Sequence, residues 1–118
     1  MYYTDSHEWI DAEGKIGMTT YAQQELGEIV YLQLPQIGRQ VRAGEEVVIL
    51  ESTKAAADVY SPVSGEIIAV NEELLRSPDL LNRSPETGGW LFQIRLSHPQ
   101  ELETLMNRAT YLQLVKPE

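Results

Sequence analysis

Val47-Val48-Ile49-Leu50 and Ile67-Ile68-Ala69-Val70 are two short, unbroken apolar runs, each bounded by turn-forming residues. Runs of four to eight such residues between Gly, Pro and Ser signals read as strands rather than helices. Further upstream, Val30, Leu32 and Leu34 alternate with Ile29, Tyr31 and Gln33, which predicts a strand with one buried face, ended by Pro35 and Gly38. Downstream, Trp90, Phe92, Ile94 and Leu96 are placed to share one face of a strand. Glu8 to Gly17 holds a Glu13-Gly14 turn between abbreviated strands. Three stretches break the β pattern. Thr20-x-x-Gln23 is a capping box, and with Gly27 as a stop it predicts a helix over Tyr21 to Leu26. Asn71 to Gly89 carries Ser77-Pro78, Ser84-Pro85 and Gly88-Gly89 around one helical turn at Glu72 to Leu75. Ser97-x-x-Gln100, with Pro99 in the first turn, predicts a terminal helix presenting Leu102, Leu105 and Met106.

Many short strands between turns, without a low-complexity linker, make an all-β domain with short flanking helices, built as a sandwich or flattened barrel. At 118 residues the chain is one domain with a modest core, too small to join a substrate domain to a cofactor domain. A faint internal echo is visible: Gly44 and Gly65 punctuate the outer ends of two strands that meet near Lys54, as in a quasi-symmetric pair of hairpins.

Charge changes the picture. Nine Lys and Arg against 18 Asp and Glu give a net charge of −9, which argues against nucleic acid or an anionic membrane as partner. It suits docking on basic protein surfaces, or simple solubility. There is no cysteine, so disulfide scaffolds, zinc ribbons and thiol nucleophiles are excluded. Met1-Tyr2-Tyr3-Thr4-Asp5 has neither a signal-peptide pattern nor an Arg-rich presequence. The chain therefore reads as cytoplasmic, or as a trimmed mature form in an organelle matrix.

Catalysis finds little support. His7 and His98 are the two histidines. Ser6-His7-Glu8 has the residue types of a triad, but neighbours on an extended segment point to opposite sides. His98, at the start of the terminal helix, reads as a solvated cap. Two separated histidines make a poor metal site, and no glycine loop is built to hold phosphate. No catalytic or metal-ligating residue is expected. Asn82-Arg83-Ser84 matches a glycosylation acceptor by chance.

The chemistry concentrates at Lys54. It stands where Val47 to Glu51 runs out and the strand through Val59-Tyr60 begins, followed by three alanines that leave its amine unobstructed. A lone turn lysine is otherwise a solubilising charge. The segment Glu51-Ser52-x-Lys54-Ala55, continuing through Asp58-x-Tyr60-Ser61-Pro62-x-Ser64-Gly65-Glu66, resembles the attachment segment of the H protein family of the glycine cleavage system. Ser6-His7-Glu8-Trp9, Gly17-x-Thr19-x-Tyr21-Ala22-Gln23-x-x-Leu26-Gly27, Leu34-Pro35-x-x-Gly38, Val70-Asn71-x-x-Leu74, Ser77-Pro78-x-Leu80-x-Asn82 and Gly89-Trp90-Leu91 match the same family in order, so the likeness covers the whole chain. Biotinyl domains carry Met on both sides of the lysine, whereas Thr53 and Ala55 stand here.

The resemblance implies a barrel-sandwich hybrid of the lipoyl/biotinyl type with a C-terminal helix, one lipoyl-carrier domain over residues 1–118, and (R)-lipoate amide-linked to Lys54. Its partners would be glycine decarboxylase (P protein), aminomethyltransferase (T protein), dihydrolipoamide dehydrogenase (L protein) and a lipoyl ligase or octanoyltransferase. The arm would take the aminomethyl group of glycine from the decarboxylase to the tetrahydrofolate-dependent aminomethyltransferase, making the chain a non-catalytic, monomeric carrier. Ser6, Glu8 and Asp58 match the family's arm cleft, where a carboxylate would pair with the aminomethyl cation. Ser6 as a turn residue and Asp58 as a solvated charge are the plain alternatives. Glu25 replaces a histidine that contacts the arm in some relatives. The hairpin between Trp9 and Gly17 is about three residues shorter than usual, within the range of a trimmed loop. Val48 stands where glycine is common, and Thr53 replaces a typical valine. These departures leave room for a lipoate relay to other lipoate-dependent systems, or for an unmodified acidic adaptor. Lys15, beside a turn, and Lys116, before Pro117, lack the hairpin setting and are expected to stay unmodified.

Overall fold

The computed structural model describes residues 1–115; Lys116 and the two residues after it lie outside the described part. Among the described residues nine strands form two antiparallel sheets. β1 (Tyr2–Tyr3), β2 (Glu8–Ile10), β3 (Lys15–Met18), β5 (Gln40–Val41), β8 (Gly65–Val70) and β9 (Phe92–Leu96) build one sheet in the order β1-β2-β3-β9-β8-β5. β4 (Ile29–Gln33), β6 (Glu46–Ser52) and β7 (Ala56–Tyr60) build the other in the order β4-β6-β7. The sheets stay open and face each other across a core that includes Ile16, Val48, Leu50, Ile67, Phe92 and Ile94. A second cluster, Tyr3, Trp9 and Tyr111, closes one end against Trp90 and Met106. Among the described residues no helix is long and apolar enough to cross a membrane.

The helices are α1 (Thr20–Leu26), α2 (Glu73–Arg76), α3 (Asp79–Arg83), a 3-10 turn over Pro99–Thr104, and α4 (Arg108–Val115). The cap of α1 is Thr19, not Thr20: the Thr19 hydroxyl accepts the Ala22 N–H at 3.2 Å. Thr19 is wholly buried, so its hydroxyl is held in the capping position, whereas the Thr20 backbone is engaged by Glu86 at 2.8 Å. Gly27 ends the helix at φ 86°, as its position predicts.

Three other expectations change. The alternation in β4 breaks at a bulge between Ile29 and Tyr31, which leaves Ile29 and Leu32 buried and Val30 exposed. Asn82 of α3 holds the strand beside the bulge: its amide accepts the Ile29 N–H at 2.8 Å and donates to the Ile29 carbonyl at 3.1 Å, while Ile29 stays paired with Ser52 of β6. Asn82 is thus a structural clamp. In β9, Phe92 and Ile94 share the buried face, but Trp90 precedes the strand and packs in the aromatic end cluster. The expected terminal helix stops at Leu105, because Met106 exchanges two 2.8 Å backbone hydrogen bonds with Tyr3 and is drawn into extended geometry. α4 starts afresh after Asn107, whose side chain accepts the Thr110 N–H at 2.8 Å.

The short first hairpin closes on Asp11, whose carboxylate accepts the Glu13 and Lys15 N–H groups, each at 2.9 Å. Val48 is fully buried at the bulge between β6 and β7 and fills core volume that a glycine would leave empty.

Candidate functional site

β6 delivers the chain to Thr53-Lys54-Ala55, and β7 takes it away. The turn is organised by Ser52. Its hydroxyl accepts the N–H of Lys54 at 3.1 Å and of Ala55 at 3.0 Å, and donates to the Ala55 carbonyl at 3.1 Å. Thr53 N–H donates to the Glu28 carbonyl at 3.0 Å, fastening the tip to the junction of α1 and β4. That junction is itself anchored by Asn82 through Ile29, and Gln23 of α1 donates to the Gly27 carbonyl at 3.3 Å. The Lys54 stem lies beside Gly27, where a Cβ would sit 3.2 Å from Lys54 Cε. Lys54 is exposed, and its ammonium enters no ion pair among the described residues.

Beside the hairpin lies a cleft of about 320 Å³. Ala57, Asp58 and Val59 of β7 form one wall, Tyr21, Glu25 and Leu26 of α1 another, and Ser6, His7 and Glu8 the far end. Ser6, Glu8 and Asp58 are therefore brought together, with Glu25 on the same rim. Their environments differ sharply. Asp58 is exposed, whereas Glu8 is 3 % exposed. Glu8 Oε1 accepts the hydroxyls of Thr4 at 2.6 Å and Ser6 at 2.7 Å, and Oε2 accepts the Tyr60 N–H at 3.3 Å. Burial pushes the Glu8 carboxyl above its ordinary range, and those three hydrogen bonds only partly offset it. Ser6 and Glu8 also line a second cavity of about 390 Å³, bounded by Tyr60, Pro62 and Met106.

The Ser6-His7-Glu8 segment is not extended. His7 has φ 72°, the one positive value at a non-glycine among the described residues. That turn brings the Ser6 and Glu8 side chains to one side and sends the His7 ring away, against Tyr21 with centroids 4.7 Å apart, its Nδ1 2.9 Å from the Tyr111 hydroxyl. His98 sits at the cap position of the 3-10 turn, where its carbonyl accepts the Glu101 N–H at 2.9 Å but its side chain bonds no turn N–H; its Nδ1 is 2.9 Å from Ser97 Oγ. Sequence reasoning missed Thr4, Ser52 and the Thr19–Tyr111–His7 chain. The Ser52-Thr53 pair before Lys54 carried a signal, because Ser and Thr hydroxyls organise turns two residues on.

Two open sheets that lift one unpaired lysine on a hairpin beside a half-polar cleft define a barrel-sandwich carrier domain. The family model described as "Glycine cleavage H-protein" matches residues 1–118. The glycine cleavage system H protein of Thermotoga maritima is 47% identical over 119 residues, covering 98% of this chain and 96% of that protein. That of Chromohalobacter salexigens is 47% identical over 120 residues, covering 98% and 92%. The crystal structure of a glycine cleavage system H protein from Mycobacterium marinum superposes with a TM-score of 0.85 at 33% identity, covering 94% of this chain and 92% of that one. The chain belongs to the glycine cleavage H-protein family.

Proposed function

We propose that residues 1–118 act as a single lipoyl-carrier domain of the glycine cleavage system, with Lys54 as the attachment residue for (R)-lipoate. The observation that carries this reading is the Ser52-organised hairpin, which holds an exposed lysine with no ion pair to break on acylation. When attached, the lipoyl group supplies a dithiolane that accepts the aminomethyl group of glycine and yields it to a tetrahydrofolate-dependent transferase. The chain's own work is to aim, shelter and present. Ser52 aims the Lys54 amine. The cleft excludes water from the arm's end, and Glu8 and Asp58 place negative charge where a cationic cargo would rest. Ser6 donates to Glu8 and fixes its carboxylate. The net charge of −9 favours partners with basic rims: the decarboxylase, the aminomethyltransferase, dihydrolipoamide dehydrogenase and a lipoyl ligase or octanoyltransferase. The carrier needs no catalytic centre of its own, since each enzyme brings one to the tethered arm. A cytoplasmic or organelle-matrix setting fits that role.

The test is intact mass after incubation with lipoyl ligase, ATP and lipoate. Wild type gains one lipoyl unit and Lys54→Arg gains none, because arginine keeps the charge but offers no acylatable amine. A lipoyl gain in Lys54→Arg overturns the assignment.

A further inference from the structure

His7 is the cleft residue for which the carrier reading gives no task, and hydrogen-bond accounting around it yields one. Tyr111 reaches in from α4, stacks on Tyr3 with centroids 4.8 Å apart, and places its hydroxyl 2.7 Å from Thr19 Oγ1 and 2.9 Å from His7 Nδ1. Thr19 is wholly buried, and its oxygen already accepts the Ala22 N–H. Its hydroxyl proton has one acceptor within reach among the described residues, the Tyr111 oxygen. If Tyr111 donated to Thr19 instead, that buried proton would be left unpaired, which burial penalises. Thr19 therefore donates to Tyr111. Burial keeps the phenol protonated, so Tyr111 in turn donates to His7 Nδ1. A neutral imidazole whose Nδ1 accepts must carry its proton on Nε2.

We infer that His7 is a further cleft residue for the arm, a neutral Nε2–H donor aimed by Tyr111 and Thr19. The inference rests on the carrier reading for its ligand. The ring lines the cleft, and Nε2 has no protein partner among the described residues. The left-handed backbone of His7, held by the Thr19 N–H donating to the His7 carbonyl at 3.0 Å, is the strained conformation that turns this ring toward Tyr111. A donor cannot serve a protonated amine. At the far end of the cleft it faces the sulfur end of the arm, whose sulfur atoms are acceptors, though weak ones, in every state. His7 thus holds the arm whether or not it carries cargo, while Glu8 and Asp58 act on the cation. Tyr111 is a positioning residue that ties α4 to the cleft.

The experiment uses the full chain labelled with 15N-histidine, with two-bond proton–nitrogen spectra recorded above the histidine titration; a Tyr111→Phe spectrum identifies the His7 signals apart from those of His98. The expected result is the Nε2–H tautomer at His7, a mixed population in Tyr111→Phe, and a changed Nε2 resonance after lipoylation. A dominant Nδ1–H tautomer overturns the donor assignment, and an Nε2 resonance unmoved by lipoylation overturns the arm contact. Both results leave the carrier reading intact, whereas absence of the lipoyl mass gain overturns that reading and removes the ligand. A second readout uses the lack of cysteine: after reduction the arm holds the sole thiols, so their alkylation rate reports its docking. His7→Leu should raise that rate about three- to tenfold, as loss of one neutral hydrogen bond predicts, with His7→Gln restoring most of it through its amide N–H. Equal rates in wild type and His7→Leu overturn the contact.

Discussion

The Glu8 carboxylate accepts the backbone N–H of Tyr60 at 3.3 Å, joining positions 52 residues apart. β7 is an edge strand of its sheet, and edge N–H groups otherwise face solvent or another chain. Glu8 therefore closes the edge at Tyr60 while its other oxygen is held by Thr4 and Ser6. One buried carboxylate serves both the fold and the cleft.

That dual role has a pH signature. Burial raises the Glu8 carboxyl in the folded chain, so the native state holds its proton to higher pH than the unfolded state does. The stability gained from this is complete below the ordinary glutamate value of 4.5 and is lost as pH rises through the raised folded value. Glu8→Gln lacks the titration, while its amide oxygen can still accept the Tyr60 N–H. Urea unfolding over a pH series should show Glu8→Gln less stable than wild type at acid pH, with the gap narrowing as pH rises. A gap that widens instead would mean that the fold favours the ionised carboxylate.

Ser52 should control lipoylation without being modified. Ser52→Ala deletes three hydrogen bonds in the turn, so the tip is no longer held in one conformation. We expect about 0.5 to 1.5 kcal/mol lower stability and a several-fold slower initial rate with lipoyl ligase, with Ser52→Thr close to wild type. Mass-resolved time courses check this. An unchanged rate in Ser52→Ala would show that the ligase reorganises the turn itself.

Val48→Gly should lower stability by about 2 to 4 kcal/mol, from the lost burial of a valine side chain and the added freedom of glycine in a strand. Chemical denaturation measures it. Lipoylation of the folded fraction should be unaffected, since Val48 points into the core and not at the hairpin tip. A loss within 0.5 kcal/mol, roughly the scale of a surface substitution, would mean that the bulge repacks.

The hairpin and its lysine were legible because their signals are local: an apolar run, a turn, small residues and a second run. The sheet class followed from the same spacing. What escaped depends on distant partners. Ile29, beside the bulge, is held by Asn82, 53 residues away, through two hydrogen bonds. The terminal helix breaks at Met106 because Tyr3 recruits it. α4 has Tyr111 as its sole buried residue, so no apolar stripe announced it. At the site, Ser6, Glu8 and Asp58 could be grouped by resemblance, yet their unequal burial could not be foreseen. Nor could the place of His7 be foreseen, because its left-handed backbone and its partner Tyr111, 104 residues away, leave no local signal.

The unequal burial of Glu8 and Asp58 predicts how a loaded arm is protected. A charge-assisted hydrogen bond to a shielded carboxylate is worth about 1.5 to 3 kcal/mol, which would slow loss of a cationic cargo by roughly tenfold or more. Asp58 is exposed, so solvent screens its share, and Glu8 should supply most of the effect. The experiment loads lipoylated wild type, Glu8→Gln, Asp58→Asn and the double variant with the aminomethyl group by means of the decarboxylase, then follows release of ammonia and formaldehyde. Decay should quicken by about tenfold in Glu8→Gln, about twofold or less in Asp58→Asn, and little further in the double variant, following the shielded and screened magnitudes above. Equal decay in all four folded, equally lipoylated proteins would reduce Glu8 to its structural clamp on Tyr60. Refusal of the wild type to load from a competent decarboxylase, despite full lipoylation, would point instead to a lipoate relay serving other enzymes.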